Sequence, residues 1–201
     1  MGAVPRFVPP GRCPRCAFPA GFCLCPELAP VAARLPVTIV RHASEIPRLT
    51  NSARWAALAL TNATVLDHAL PGHLLEDAAL REPGAVLLFP GSGPATPLGP
   101  VRRLVVPDGT WAQARRMVQR LPALRALPRL ALPLPPPAFR LRRAPAGGMS
   151  TAEAVAAALR LLGDAEAAAA LERVHAAAVE RCRRLSGTWE RERAPRVRRS
   201  A

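Results

Sequence analysis

The sequence predicts an α/β domain, a mainly parallel sheet covered by helices, with a small four-cysteine metal knuckle in front of it. Two observations carry this. Five short apolar runs bounded by Pro, Gly, Asn or Asp alternate with segments of helical periodicity, the pattern of strands joined by crossover helices. Four of the five cysteines lie instead within the first 30 residues, among Pro and Gly. The chain therefore divides into a four-cysteine zinc-binding module over 1–30, a main domain over 31–185 and a basic tail over 186–201.

The module comes first. Cys13, Cys16, Cys23 and Cys25 form C-x2-C-x6-C-x-C. Four soft ligands this close suit a tetrahedral structural metal, with zinc held by thiolates as the best fit. Disulfides are disfavoured because the chain is expected to be cytoplasmic, where thiols stay reduced. Its opening, "MGAVPRFVPPGRCPRC", lacks the apolar core and cleavage site of a signal peptide. No apolar run approaches the roughly 20 residues that span a bilayer, so no membrane partner is expected. A single C-x-x-C could be redox-active, but the second cysteine pair favours a closed site. Such a knuckle serves either as an RNA-facing appendage or as a brace on the main domain.

The strands follow in order: "PVTIVRH" from Pro36, "ATVLDH" from Ala63, "AVLLFP" from Ala85, "RRLVVP" from Arg102 and "PRLALP" from Pro128. Helices are predicted from Asn51 to Leu60, Thr110 to Leu121 and Thr151 to Leu162. Thr110 with Gln113, and Ser150 with Glu153, have capping-box spacing. Between strand and helix, Asp108-Gly109 reads as a turn in which both residues tolerate positive φ. A helix N-terminus placed after a strand also offers free N–H groups to an anion. The stretch "LPALRALPRLALPLPPPAFRLRRAP" has too many prolines for a long helix and reads as one short strand plus an extended connection. Cys182 reads as a small core residue on a helical face. The end, "RERAPRVRRSA", reads as a solvated basic tail, disordered without RNA.

The formal charge is +14, and all 28 basic residues are Arg. Phosphate neutralisation with counterion release makes nucleic acid a natural partner for such a chain. The 24 prolines, long Ala runs and absent Lys equally suggest a biased genome, which raises pI without function. The nucleic-acid reading puts phosphate contacts on the knuckle, Arg102, Arg103, Arg142, Arg143 and the tail.

Five motifs in order, namely the cysteine cluster, "RHASEIPRLTNSARWAALAL", "LLFPGSGP", "PDGTWAQARRM" and "LRRAPAGGMSTAEAVAAAL", resemble the DTW-domain family over about residues 10 to 165. The name-giving tripeptide corresponds to Asp108, Thr110 and Trp111, with Gly109 interposed. The resemblance implies a tRNA-uridine aminocarboxypropyltransferase, moving the 3-amino-3-carboxypropyl group of S-adenosylmethionine to N3 of a uridine. It also implies a SPOUT-like knotted fold, with 31–185 as the DTW catalytic domain. Asp108, Thr110 and Trp111 are then the catalytic candidates. Leu88, Phe89, Pro90, Gly91, Asp108, Gly109, Thr110, Ser150, Thr151 and Glu153 are candidates for binding S-adenosylmethionine. His42, Glu45, Asn51, Arg54, Arg142 and Arg143 are candidates for contacting tRNA. Asp108 could accept the uridine proton or hold the ammonium of the donor, and Trp111 could stack on a base or pack in the core. The competing readings are a SPOUT-type RNA methyltransferase and a non-catalytic zinc-knuckle RNA-binding protein.

Overall fold

The computed structural model describes residues 8–90, 99–133 and 148–193, with side chains described up to residue 187. Five strands form one sheet: β1 (Val37–His42), β2 (Ala63–His68), β3 (Ala85–Leu88), β4 (Arg103–Asp108) and β5 (Arg129–Leu130). Their order is β2-β1-β4-β3-β5, and every pairing is parallel. All five predicted strands are present, somewhat trimmed at their ends.

Parallel sheets are covered on both faces, which accounts for the unbroken apolar runs. Ile39, Val86, Leu104, Val106 and Leu130 point to one core, while Val40, Leu87 and Val105 point to the other. The first core takes α1 (Ser52–Ala59), α4 (Thr151–Leu161) and α5 (Ala165–Arg193). The second takes α2 (Trp111–Arg120) and the single turn α3 (Pro122–Arg125). Pro107 lies in the central strand without breaking it, because β3 pairing with β4 stops at Val105.

Two elements depart from the sequence expectation. The proline-rich stretch contains α3, since Pro122 stands at the first turn, where a missing N–H removes no helical bond. The basic end begins as helix, because α5 continues to Arg193. Ala167, Leu171, Val174, Ala178 and Cys182 recur at three to four residues and bury one stripe of α5. Asp164 anchors this helix, accepting from the Ala167 N–H at 3.3 Å and the Arg34 N–H at 2.6 Å. No helix among the described residues is long and apolar enough to cross a membrane.

The knuckle is a brace. Cys16, Phe18 and Leu24 are buried in the first core, and the Phe18 ring stacks on Trp55 of α1 at 6.5 Å. From α5, Arg181 donates to the Phe22 carbonyl at 3.1 Å and pairs with Glu27. Phe18→Ala should therefore destabilise the whole domain by roughly 3–5 kcal/mol, as for other buried aromatic truncations. A denaturant midpoint for the helical signal that did not move would contradict this coupling.

Candidate functional site

The strands deliver their C-terminal residues to one edge. At the β4 end, Asp108 is buried and both its oxygens are engaged: Oδ2 accepts from Asn51 Nδ2 at 2.7 Å and Oδ1 from the Thr151 hydroxyl at 2.5 Å. Asn51 also caps α1, where its Oδ1 accepts from the Arg54 N–H at 3.1 Å and from Arg41 Nη1 at 3.4 Å. Because two donors fix that oxygen, the Asn51 amide must turn its NH2 toward Asp108. Arg41 in turn makes a two-pronged pair with Asp67 on β2, at 2.7 and 3.0 Å. A continuous polar chain thus runs Asp67, Arg41, Asn51, Asp108, Thr151 across three strands and two helix starts.

Burial pushes the Asp108 carboxyl above its ordinary pKa, with the Glu45 charge adding to the rise; the bonds from Thr151 and Asn51 and the charge of Arg41 only partly oppose it. Arg54, buried and repelled by Arg41, is lowered to about 10, and donates to the carbonyls of Ile46 and Arg48. Glu45 is buried and pairs with Arg48 at 3.3 Å.

A cavity of about 280 Å³ opens beside Asp108. Leu88, Phe89 and Pro90 after β3, Gly109 and Trp111 after β4, and Ser150 and Thr151 before and at the start of α4 all line it. The Phe89 and Trp111 rings face each other at 6.3 Å, inclined by 47°. Of the other residues expected here, Asp108 touches the site through Thr151, Thr110 caps α2 and Glu153 completes the Ser150 capping box. Gly91, Arg142 and Arg143 lie outside the described residues.

Gly109 corrects one expectation. Neither it nor Asp108 has positive φ, so the turn does not use that tolerance. A Cβ at Gly109 would instead stand 3.1 Å from Gln113 Cβ and 3.4 Å from His42 Cβ, so the glycine permits close approach of β1 and α2. There His42 Nδ1 accepts from the Ser44 N–H at 3.2 Å, which places the neutral ring's proton on Nε2. His68 pairs with His42 in the sheet, and burial, with the charge of His42, lowers its pKa. Asp67 and His68 close a predicted strand without a site motif, and Arg41 and Gln113 lie inside motifs that gave them no site role; only their positions at strand ends or a helix start could have singled them out.

The four knuckle cysteines place their sulfurs within 4.8 Å of one another, with Cys13 to Cys25 at 3.6 Å and Cys16 to Cys23 at 3.8 Å. A tetrahedral zinc about 2.3 Å from each sulfur needs a separation of about 3.8 Å. The cluster can hold a metal such as zinc. Burial resists ionisation of Cys13, yet N–H groups of Cys16 and Arg15 bring it to about 6; Cys25 is pushed up to about 12 by burial and the neighbouring sulfurs. Four thiolates therefore coexist only around a cation. Cys16→Ser should reduce bound metal from one equivalent to none and lower the melting temperature, because metal binding and local folding are one equilibrium. A fully folded, metal-free wild-type protein would contradict this.

The raised pKa of Asp108 has a stability consequence. Between the unfolded value near 3.9 and the raised folded value, the folded state binds the extra proton, so stability falls as pH rises through that window. Asp108→Asn should flatten that part of the pH–stability curve, measured by denaturant titration.

No solved structure matches the chain. A family model, described as the DTW domain, matches residues 11–183 and so takes in the knuckle, the sheet, the cavity and most of α5. The motifs that line the cavity and the cysteines that brace it lie inside that match, and the chain belongs to the DTW-domain family of tRNA-modifying enzymes.

Proposed function

We propose that this chain transfers the 3-amino-3-carboxypropyl group of S-adenosylmethionine to N3 of a uridine in tRNA. The N3–C bond forms as the C–S bond breaks, the electron pair leaves with sulfur in methylthioadenosine, and the N3 proton is released to water. The observation that carries this reading is the polarity of the cavity: an aromatic pair at one side and, at the other, a helix start with a hydroxyl backed by a buried carboxylate. When bound, S-adenosylmethionine supplies an electrophilic carbon next to a sulfonium.

Phe89 and Trp111 offer apolar walls that suit an adenine. The Thr151 hydroxyl has one proton, and when Asp108 is ionised that proton is committed to it. Toward the cavity Thr151 can then only accept, which suits the ammonium of the donor. Asp108 thereby serves binding through Thr151, with both its oxygens already occupied. We assign Asn51 and Arg54 to holding this arrangement from behind, since both are buried and bonded within the protein. His42, at the half-buried edge of β1, is the better candidate for meeting the acceptor base. The SPOUT-like knotted path belongs to the same proposal, and the wholly parallel sheet supports it.

Incubating tRNA with purified protein and S-adenosylmethionine should yield a uridine heavier by the aminocarboxypropyl group, together with methylthioadenosine, by nucleoside mass spectrometry. S-adenosylhomocysteine as the product would instead mean methyl transfer. Asp108→Asn should weaken S-adenosylmethionine binding by the roughly 1.5–3 kcal/mol typical of hydrogen bonds to charged groups. Unchanged affinity with a rate lowered about 100- to 10,000-fold and rescued at high pH would make Asp108 the general base.

A further inference from the structure

We infer that the outward face of α2 and α3 is a docking surface for an RNA backbone, delivering a nucleotide to the cavity mouth. The inference rests on the transfer reading for its choice of polyanion, and on charge placement for its location.

Residues 109–152 contain eight Arg and no Asp or Glu, where the chain average of 14 acids in 201 would place about three. Genome bias accounts for many arginines but not for this exclusion of acids. On α2, Ala114, Met117 and Val118 are buried, while Arg115, Arg116, Gln119 and Arg120 are exposed, and Arg125 is exposed on α3. Arg116 and Arg120 are one turn apart, a like-charge pairing that disfavours a helix unless an anion answers it.

Elsewhere several exposed arginines are answered by carboxylates, whereas Arg15, Arg34, Arg102 and Arg173 stand scattered without an ion pair among the described residues. Arg81 pairs with Asp77, Arg103 with Glu82, Arg160 with Glu172, Arg181 with Glu27 and Arg184 with Glu180. Arg115, Arg116, Arg120 and Arg125 meet no carboxylate among the described residues. Arg103, expected above to touch phosphate, is therefore occupied, and also donates to the Thr38 hydroxyl at 3.0 Å.

The arginine face adjoins the cavity. Trp111, the first residue of α2, and Ala114 both line it, and Arg115 follows Trp111 by one turn. A helix of 10 residues is about 15 Å long, enough to follow several phosphates of one strand. Guanidinium groups are suited to such contacts through their planar, two-pronged hydrogen bonding.

The test is equilibrium binding of tRNA, without turnover, over a range of salt concentrations. The triple variant Arg115→Gln, Arg120→Gln, Arg125→Gln should lower the log–log salt slope by about 2 to 3, at roughly 0.7–0.9 per lost phosphate contact, with S-adenosylmethionine affinity unchanged. Lysine at the same three positions should keep the slope. The paired-surface variant Arg81→Gln, Arg160→Gln should also keep it. An unchanged slope in the glutamine variant, an equal loss in the paired-surface variant, or lost binding to anionic vesicles with tRNA binding intact would overturn the assignment. A slope that falls as expected in a protein that forms no modified uridine would uphold the surface and count against the transfer reading alone.

Discussion

The buried Asp108 carboxylate is the constraint on which the site depends. A charge at the end of a central strand is costly to desolvate unless donors reach it. Here the donors come from two different helix starts: Asn51 at the cap of α1 and Thr151 at the first residue of α4. One side chain thereby fixes the mutual positions of β4, α1 and α4, which are distant in sequence. Arg41 and Asp67 extend the same logic to the sheet edge, each satisfying the group before it. The cavity is the space that remains beside this chain of bonds, and its polar end is where the chain of bonds ends.

The four-cysteine knuckle is part of the same mechanical unit. Phe18 stacks on Trp55, the Trp55 ring meets His175 of α5 at 5.7 Å, and His175 Nε2 lies 3.3 Å from the Ser150 hydroxyl that caps α4. A contiguous path of packed rings and one polar contact therefore leads from the cysteine cluster to the cavity wall. This explains why the knuckle lies so close to the candidate site: its hydrophobic residues complete the core under α1 and α5.

Much of this was legible in the residues. Unbroken apolar runs marked the buried parallel strands, and both capping boxes appear as read, with Thr110 and Gln113, and Ser150 and Glu153, satisfying each other. The cysteine spacing foretold four sulfurs within reach of one another. What local pattern could not convey is contact across the fold. Nothing near Arg54 indicates that its guanidinium turns inward to backbone carbonyls, and nothing near Asp108 indicates that its partners lie 57 residues before it and 43 after it. Asp-Gly usually marks a flexible turn, so local pattern assigns Gly109 that role. Its reason is steric, and depends on the approach of His42 from another strand.

Whether Asp108 acts through Thr151 is decided by a double-mutant cycle on S-adenosylmethionine affinity. Isothermal titration of Asp108→Asn, Thr151→Val and the double variant would be compared with the wild type, with thermal melts confirming folding. If the carboxylate works through the hydroxyl, the double variant should bind as weakly as Thr151→Val and no more weakly, a coupling that residues sharing one hydrogen bond are expected to show. Losses that simply add would mean that Asp108 and Thr151 serve the ligand separately and that the carboxylate does not work through the hydroxyl.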